Sequence, residues 1–243
     1  MINKMAFARY IKDKQINTKQ KIMVEIGSTR SISEQDSTFH LATFCNENDI
    51  HFITVDVDKN NIEMAKKRFE NINPFFEAIL SRGEDFLKIF DKKIDFLYLD
   101  GFDFYHPFHS QERIDNYKKY LNMEITDENC WNMHLECVKN YIIKNNGIIC
   151  IHNVFDNNHN GKGKLAISFL LKNNYIFEKL ENECAFLYND NKKVNQENLC
   201  YNINKVSNIT IKIIPDENNN SNVLIPIPNI LSDDDLKIQC LDL

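Results

Sequence analysis

Short apolar runs alternate with amphipathic stretches over most of the chain. The apolar runs predict five strands, at residues 21–27, 51–58, 75–81, 94–101 and 148–154. Apolar positions at helical spacing predict helices at residues 37–48, 59–72, 84–91, 127–144 and 163–173. A polar and aromatic loop is predicted from 102 to about 122. Such alternation is typical of a doubly wound α/β protein with a mostly parallel sheet.

Two further strands are predicted near 175–181 and 184–190, too close together for a helical crossover. We therefore expect a C-terminal antiparallel hairpin, which completes a Rossmann-like seven-stranded sheet. Beyond residue 191 the chain becomes polar, with short strand patterns in "ITIKII" and "NVLIPIPNIL". The pattern predicts one domain at 1–194 and a β-rich extension at 195–243. We interpret the extension as an edge addition or a dimer arm, so a homodimer is one expected state.

Composition narrows the class of protein. The 243 residues are 43% hydrophobic and 26% charged, with a formal net charge of -6. This acidic balance argues against nucleic-acid and membrane-surface partners, which attract basic patches. We identify neither a spanning segment nor a signal peptide. The seven cysteines form no CxxC pair, which favours reduced thiols and a cytoplasmic location.

Carboxylates and a glycine mark the ends of the first two predicted strands. Glu25 interrupts an otherwise apolar strand that ends at Gly27, and Asp56 ends the second strand. Ligands of open α/β sheets bind beyond the carboxyl ends of the strands. Asp56 is therefore placed to accept hydrogen bonds from a ribose diol, whereas Asp58 suits the cap of the following helix.

The segments "VEIGSTR" and "VDVD" resemble two cofactor elements of class I S-adenosylmethionine-dependent methyltransferases, and the resemblance extends over about residues 21–190. It implies that Glu25 and Gly27 engage the methionine end of the cofactor and that Asp56 binds its ribose. In "SRGEDFL", the resemblance implies that Glu84, beside Gly83, meets the adenine amine.

The first turn departs from the G-x-G-x-G pattern of that family, because Ser28, Thr29 and Arg30 follow Gly27. Hydroxyls of Ser28, Thr29, Ser37 or Thr38 could replace the missing glycine cradle, and Arg30 could meet the cofactor carboxylate. A dinucleotide site is a weaker interpretation, since G-x-G-x-x-G is absent.

The fourth and fifth strands end in groups suited to the acceptor. Asp100 ends the fourth strand, His106 follows in the loop, and His152 and Asn153 end the fifth. The arrangement looks like metal-dependent O-methyltransferases, including sugar-modifying ones. That likeness implies Mg²⁺ or Mn²⁺ at Asp100, His152 and Asn153. Without a metal, His106, His109 or His152 can act as the base that takes the hydroxyl proton.

The sequence therefore predicts an enzyme that transfers a methyl group from S-adenosylmethionine to a hydroxyl of a small molecule, with a histidine base, a divalent cation or both. The resemblance points to a saccharide or nucleotide-sugar acceptor. Lys162 and Lys164 could meet a phosphorylated acceptor or could be solvated. Two alternatives stay open: an NAD(P)-dependent oxidoreductase and a non-catalytic assembly subunit of methyltransferase-like fold.

Overall fold

A computed structural model describes residues 3–30, 36–69, 74–189, 213–215 and 222–224. The helices are α1 Asn3–Asp13, α2 Ser37–Glu47, α3 Lys59–Phe69, α4 Gly83–Ile89, α5 Gln111–Leu121, α6 Asp127–Ile142 and α7 Lys164–Lys172. The strands are β1 Ile22–Ile26, β2 His51–Asp56, β3 Phe76–Leu80, β4 Phe96–Leu99, β5 Ile148–Ile151, β6 Tyr175–Glu181, β7 Cys184–Asn189, β8 Ile213–Pro215 and β9 Asn222–Leu224.

Seven strands form one sheet in the order β3-β2-β1-β4-β5-β7-β6. The strands from β3 to β5 are parallel, and β7 runs antiparallel between β5 and β6. The predicted fold class and hairpin are thus confirmed. The chain leaves β1 towards β2 on one side and later returns to β4 on the other. The carboxyl ends of β1 and β4 therefore border the crevice where such folds place ligands.

Alternate residues of each strand face two separate hydrophobic layers. In β1, Val24 and Ile26 belong to the cluster that also contains buried residues of α4, α6 and α7. Met23 belongs to the second cluster, on the face covered by α1, α2 and α3. Because side chains alternate along a strand, Glu25 points towards this second face, where α2 covers it.

Two helices lie where none was predicted. The helix α1 places Tyr10 in the core against Phe186 of β7, with ring centroids 4.5 Å apart. The helix α5 occupies much of the segment predicted as a loop from 102 to 122. The Ser110 hydroxyl caps α5 by accepting from the backbone N–H of Arg113. This helix supplies one wall of the site described below.

The C-terminal part is described only at β8 and β9, which pair antiparallel with each other. The predicted domain boundary at 194/195 lies outside the described residues, as does most of the predicted β-rich extension. Within the described ranges, even the longest helix, α6, has only 16 residues, and no helix is long and apolar enough to cross a membrane.

Candidate active site

A cavity of about 440 Å³ lies at the carboxyl edge of the sheet. Residues that follow β1, β2, β4 and β5 line it in the order in which these strands stand side by side. The strand-end residues in its wall are Gly27, Asp56, Asp100, Gly101 and His152. One helix, α5, closes it from the side. The predicted site residues that line it are Gly27, Ser28, Ser37, Asp56, Gly83, Asp100, His106, His152 and Asn153.

The turn after β1 needs a glycine because its backbone is left-handed and touches another chain segment. Gly27 has a φ of 97°, which side chains rarely tolerate. A Cβ atom on Gly27 would lie 2.5 Å from the Cα of Gly101. The turns that follow β1 and β4 therefore meet backbone to backbone on the floor of the cavity.

Glu25 lies beneath this turn, fully buried, and does not line the cavity. Its Oε2 accepts hydrogen bonds from the hydroxyls of Thr38, at 2.8 Å, and Thr54, at 2.7 Å. The Thr38 hydroxyl in turn accepts from the backbone N–H of Thr29 at 2.8 Å. Since the Thr54 hydroxyl donates its one hydrogen to Glu25, the Ser28 hydroxyl donates to Thr54. Glu25 thus shapes the turn through three hydroxyls.

Asp56 faces the cavity at the end of β2. Its Oδ2 accepts from the Ser28 backbone N–H at 2.9 Å and from the Asn61 amide at 3.2 Å, and its Oδ1 accepts from the Asp58 N–H at 2.7 Å. Burial raises the pKa of Asp56, although these three donors oppose the rise. A carboxylate has about four acceptor positions, so Asp56 retains capacity for a ligand hydroxyl.

Asp100 is held between two nearly buried side chains at the ends of β4 and β5. The Lys162 ammonium donates to its Oδ1 at 2.7 Å and to its backbone oxygen at 3.1 Å. The Nδ1 of His152 lies 3.1 Å from Oδ2, within ion-pair distance but without hydrogen-bond geometry. Lys162 is 3% and His152 4% exposed, and both line the cavity. The sequence offered no sign that Lys162, 62 residues away, would pair with Asp100.

Lys162 contacts one of the residues predicted to bind a divalent cation, the set being Asp100, His152 and Asn153. Its ammonium group occupies Oδ1 of Asp100, while Oδ2 faces Nδ1 of His152. Among the described residues, no group of three or more His, Cys, Asp or Glu is placed to hold a metal ion. Asn153 contributes its backbone oxygen to the N–H of Lys162 at 3.0 Å.

A second ion pair ties α5 to the loop after β4. The Arg113 guanidinium donates to Asp103 Oδ2 at 2.5 Å, and Arg30 lies 3.7 Å from the same oxygen. Burial raises the pKa of Asp103, but Arg113, Lys162 and Arg30 outweigh it, so the pKa of this carboxyl falls below its usual value. The N–H of Asp103 donates to the Tyr117 hydroxyl at 2.5 Å. These contacts fix α5 as a wall of the cavity.

The other histidines differ in their surroundings. His106 lines the cavity, but its Nδ1 accepts from the N–H of Phe108 at 3.2 Å, and its ring stacks on His109 at 3.6 Å. His134 is fully buried outside the cavity, and burial lowers its pKa to about 4. His152 lines the cavity, and its two ring nitrogens are buried without a hydrogen-bond partner within the described residues.

The loop after β3 brings Ser81 and Gly83 to the cavity. Glu84, predicted to meet an adenine amine, is 9% exposed and lies outside the cavity lining. Its Oε1 accepts from the Arg82 guanidinium at 2.6 Å. In the structure, Glu84 therefore acts within α4 rather than at the cavity surface.

The fold of this chain is similar to those of several solved structures. No protein-family model and no curated protein match the sequence. Similar solved structures include a candidate rRNA methylase from Clostridium thermocellum, with 12% identity over 77% of this chain and 96% of that one and a TM-score of 0.47. A candidate methyltransferase from Streptococcus mutans, in complex with SAH, has 13% identity over 75% and 94% of the chains and a TM-score of 0.48.

A third similar structure is an SAM-dependent methyltransferase from Thiobacillus denitrificans in complex with S-adenosyl-L-homocysteine. Its identity is 13% over 74% of this chain and 66% of that one, with a TM-score of 0.42. All three are described as methyltransferases or methylases.

Proposed function

We propose that this protein is an S-adenosylmethionine-dependent methyltransferase that acts on a hydroxyl group of a small molecule. The observation that carries the proposal is the layout of one cavity. Asp56, at the end of β2, is a carboxylate that can still accept a hydrogen bond. His152, at the end of β5, is a group that can take or give a proton. Two strands separate them, which corresponds to about 15 Å at the usual strand spacing.

The cofactor half of the cavity suits a nucleoside. Asp56 would accept hydrogen bonds from ribose hydroxyls, and the turn at Gly27 would lie against the methionine portion. Glu25 takes part indirectly, since it orients Thr29 and Ser28 through the hydroxyls described above. Arg30 is the cavity cation nearest to this turn in sequence and is suited to a carboxylate. When bound, the cofactor supplies an electrophilic methyl group on a sulfonium.

The acceptor half suits a hydroxyl. His152 can accept a proton at Nε2, and Oδ2 of Asp100 lies 3.1 Å from its Nδ1. Alignment of the two reactants supplies much of the rate enhancement in such transfers, and a base lowers the cost of forming the oxygen nucleophile. A sugar, a nucleotide-sugar or another small hydroxyl compound fits this chemistry.

The oxidoreductase alternative finds less support. A dinucleotide pyrophosphate needs close backbone approach at a glycine-rich turn before a helix. The turn after β1 carries a single glycine, followed by Ser28 and Thr29, whose side-chain hydroxyls bond to other protein groups. A non-catalytic subunit would have no need of the cavity-lining group formed by Asp100, Lys162 and His152.

Isothermal titration with S-adenosylhomocysteine and, separately, with NAD tests the proposal. We expect the first compound to bind with a stoichiometry of one and NAD to give no heat of binding. Tight binding of NAD alone would transfer the protein to the oxidoreductases. Binding of neither would favour the non-catalytic subunit.

A further inference from the structure

Lys162 is a buried cation that faces the cavity with hydrogen-bonding capacity to spare. A lysine ammonium has three N–H donors. The contacts within the described residues use two of them, both on Asp100. Burying a charge at 3% exposure is costly and is compensated here by one carboxylate contact at 2.7 Å. One N–H of Lys162 is therefore not used by the described residues, and Lys162 is one of the residues that line the cavity.

His152 complements this donor with an acceptor. Both side chains flank the carboxylate of Asp100, Lys162 at Oδ1 and His152 at Oδ2. Because both contact this one carboxylate, the Lys162 ammonium and the His152 ring lie near each other, and both residues line the cavity. Nε2 of His152 is buried and has no hydrogen-bond partner within the described residues. A hydroxyl that reaches both groups would accept a hydrogen bond from Lys162 and donate its own hydrogen to Nε2.

We propose that Lys162 binds the acceptor oxygen as it becomes an oxyanion, and that the acceptors are therefore phenols and other acidic hydroxyl compounds rather than amines. The inference rests on the proposed function and specifies its acceptor. A cation beside the acceptor repels a protonated amine, and a neutral amine needs no help in exposing its lone pair. A reacting hydroxyl is stabilised by a nearby cation because negative charge develops on its oxygen.

The step is balanced with the groups at hand. The O–H bond breaks and its proton passes to Nε2 of His152. The O–CH₃ bond forms as the S–CH₃ bond breaks, and the electron pair of that bond stays on sulfur. Lys162 keeps its proton throughout and acts only through its charge and its hydrogen bond.

The phenol 4-nitrophenol is a suitable probe because its ionised form absorbs visible light. We would titrate it into the protein saturated with S-adenosylhomocysteine, at a pH near the pKa of the free dye. We expect the phenolate-to-phenol ratio of the bound dye to rise at least about tenfold over that of the free dye. Lys162→Met should abolish this increase.

Lys164→Met is the matched control. Lys164 follows two residues later, but it lies outside the cavity lining, with its Nζ 3.9 Å from the ring centroid of Trp131. This variant should keep the full increase in bound phenolate. If Lys162→Met does not fold, the double variant Lys162→Met/Asp100→Asn removes both charges together and should also lose the increase.

Three results would overturn the inference: dye bound as the neutral phenol, no dye binding to the wild type, or an increase that Lys162→Met retains. The nucleoside titration separates this failure from failure of the proposed function. A protein that binds S-adenosylhomocysteine but does not ionise the dye keeps its function and loses only the role of Lys162.

Discussion

The two halves of the cavity are stabilised in different ways. At β1 and β2, the buried carboxylate of Glu25 and the partly exposed one of Asp56 accept hydrogen bonds from hydroxyls, amides and backbone N–H groups. At β4 and β5, Asp100 is paired with a lysine and a histidine. The first half is a hydrogen-bonded frame that holds a turn in place. The second half carries groups that can give or take a proton, which is what a reacting oxygen needs.

Among the substitutions that test this comparison, we expect the largest effect from Glu25, whose replacement should lower the stability of the fold. Glu25→Ala leaves the hydroxyls of Thr38 and Thr54 without their acceptor in a buried setting. We expect a loss of about 3 to 5 kcal/mol in the free energy of unfolding, measured by urea denaturation. Glu25→Gln keeps an acceptor oxygen and should lose less. Equal losses for the two variants would mean that the hydroxyl network does not carry the effect.

The next effect is on nucleoside binding, at Asp56. Asp56→Ala removes an acceptor for ribose hydroxyls and the partner of the Ser28 N–H, so the affinity for S-adenosylhomocysteine should fall about 10- to 100-fold by calorimetry. Asp156→Ala is the control, because Asp156 lies outside the cavity lining and its side-chain hydrogen bonds within the described residues go to its own loop. An unchanged affinity in Asp56→Ala would place the nucleoside elsewhere.

The smallest expected effect is on the pH dependence of stability, to which Asp56 and Asp103 should contribute with opposite signs. The folded-state pKa of Asp56 is raised by burial, so its ionisation costs stability, and this cost disappears as the pH falls through that pKa. The folded-state pKa of Asp103 is lowered by Arg113, Lys162 and Arg30 against the opposing effect of burial. Its contribution is therefore present above its unfolded pKa and is lost as the pH falls through the folded one.

Unfolding free energies of the wild type, Asp56→Asn and Asp103→Asn, measured from about pH 3 to about pH 7, test these signs. On acidification the wild type should gain stability relative to Asp56→Asn and lose stability relative to Asp103→Asn. If acidification changed the stability of the wild type in the same direction relative to both variants, the pKa values of Asp56 and Asp103 would not be shifted in opposite directions.

Local patterns in the sequence were sufficient for the sheet and for the position of the cavity. Apolar runs located every strand from β1 to β7, and the residues that end β1, β2, β4 and β5 do meet at one edge. The helix α5 was missed because it has few apolar residues, although Ile114, Tyr117 and Leu121 recur at helical spacing after the Ser110 cap. Helical spacing in so polar a segment is a weak signal.

Contacts between distant segments could not be predicted in the same way. Glu25 looked like a ligand-binding residue, but its partners Thr38 and Thr54 lie on a helix and a strand that only the folded chain brings together. Lys162 looked like a solvated lysine, because nothing near it in sequence indicates that it is buried against Asp100. Burial and pairing of charges depend on the tertiary structure, and the local sequence does not contain them.

The backbone contact between Gly27 and Gly101 also constrains protein engineering. A side chain at position 27 would clash with the backbone of Gly101, and one at position 101 would press on Ile26, the last residue of β1. A substitution in either turn would therefore also disturb the end of the neighbouring strand. Libraries that aim at new methyl acceptors should leave both glycines unchanged and vary the loop after Gly101 at positions beyond its contact with the turn after β1.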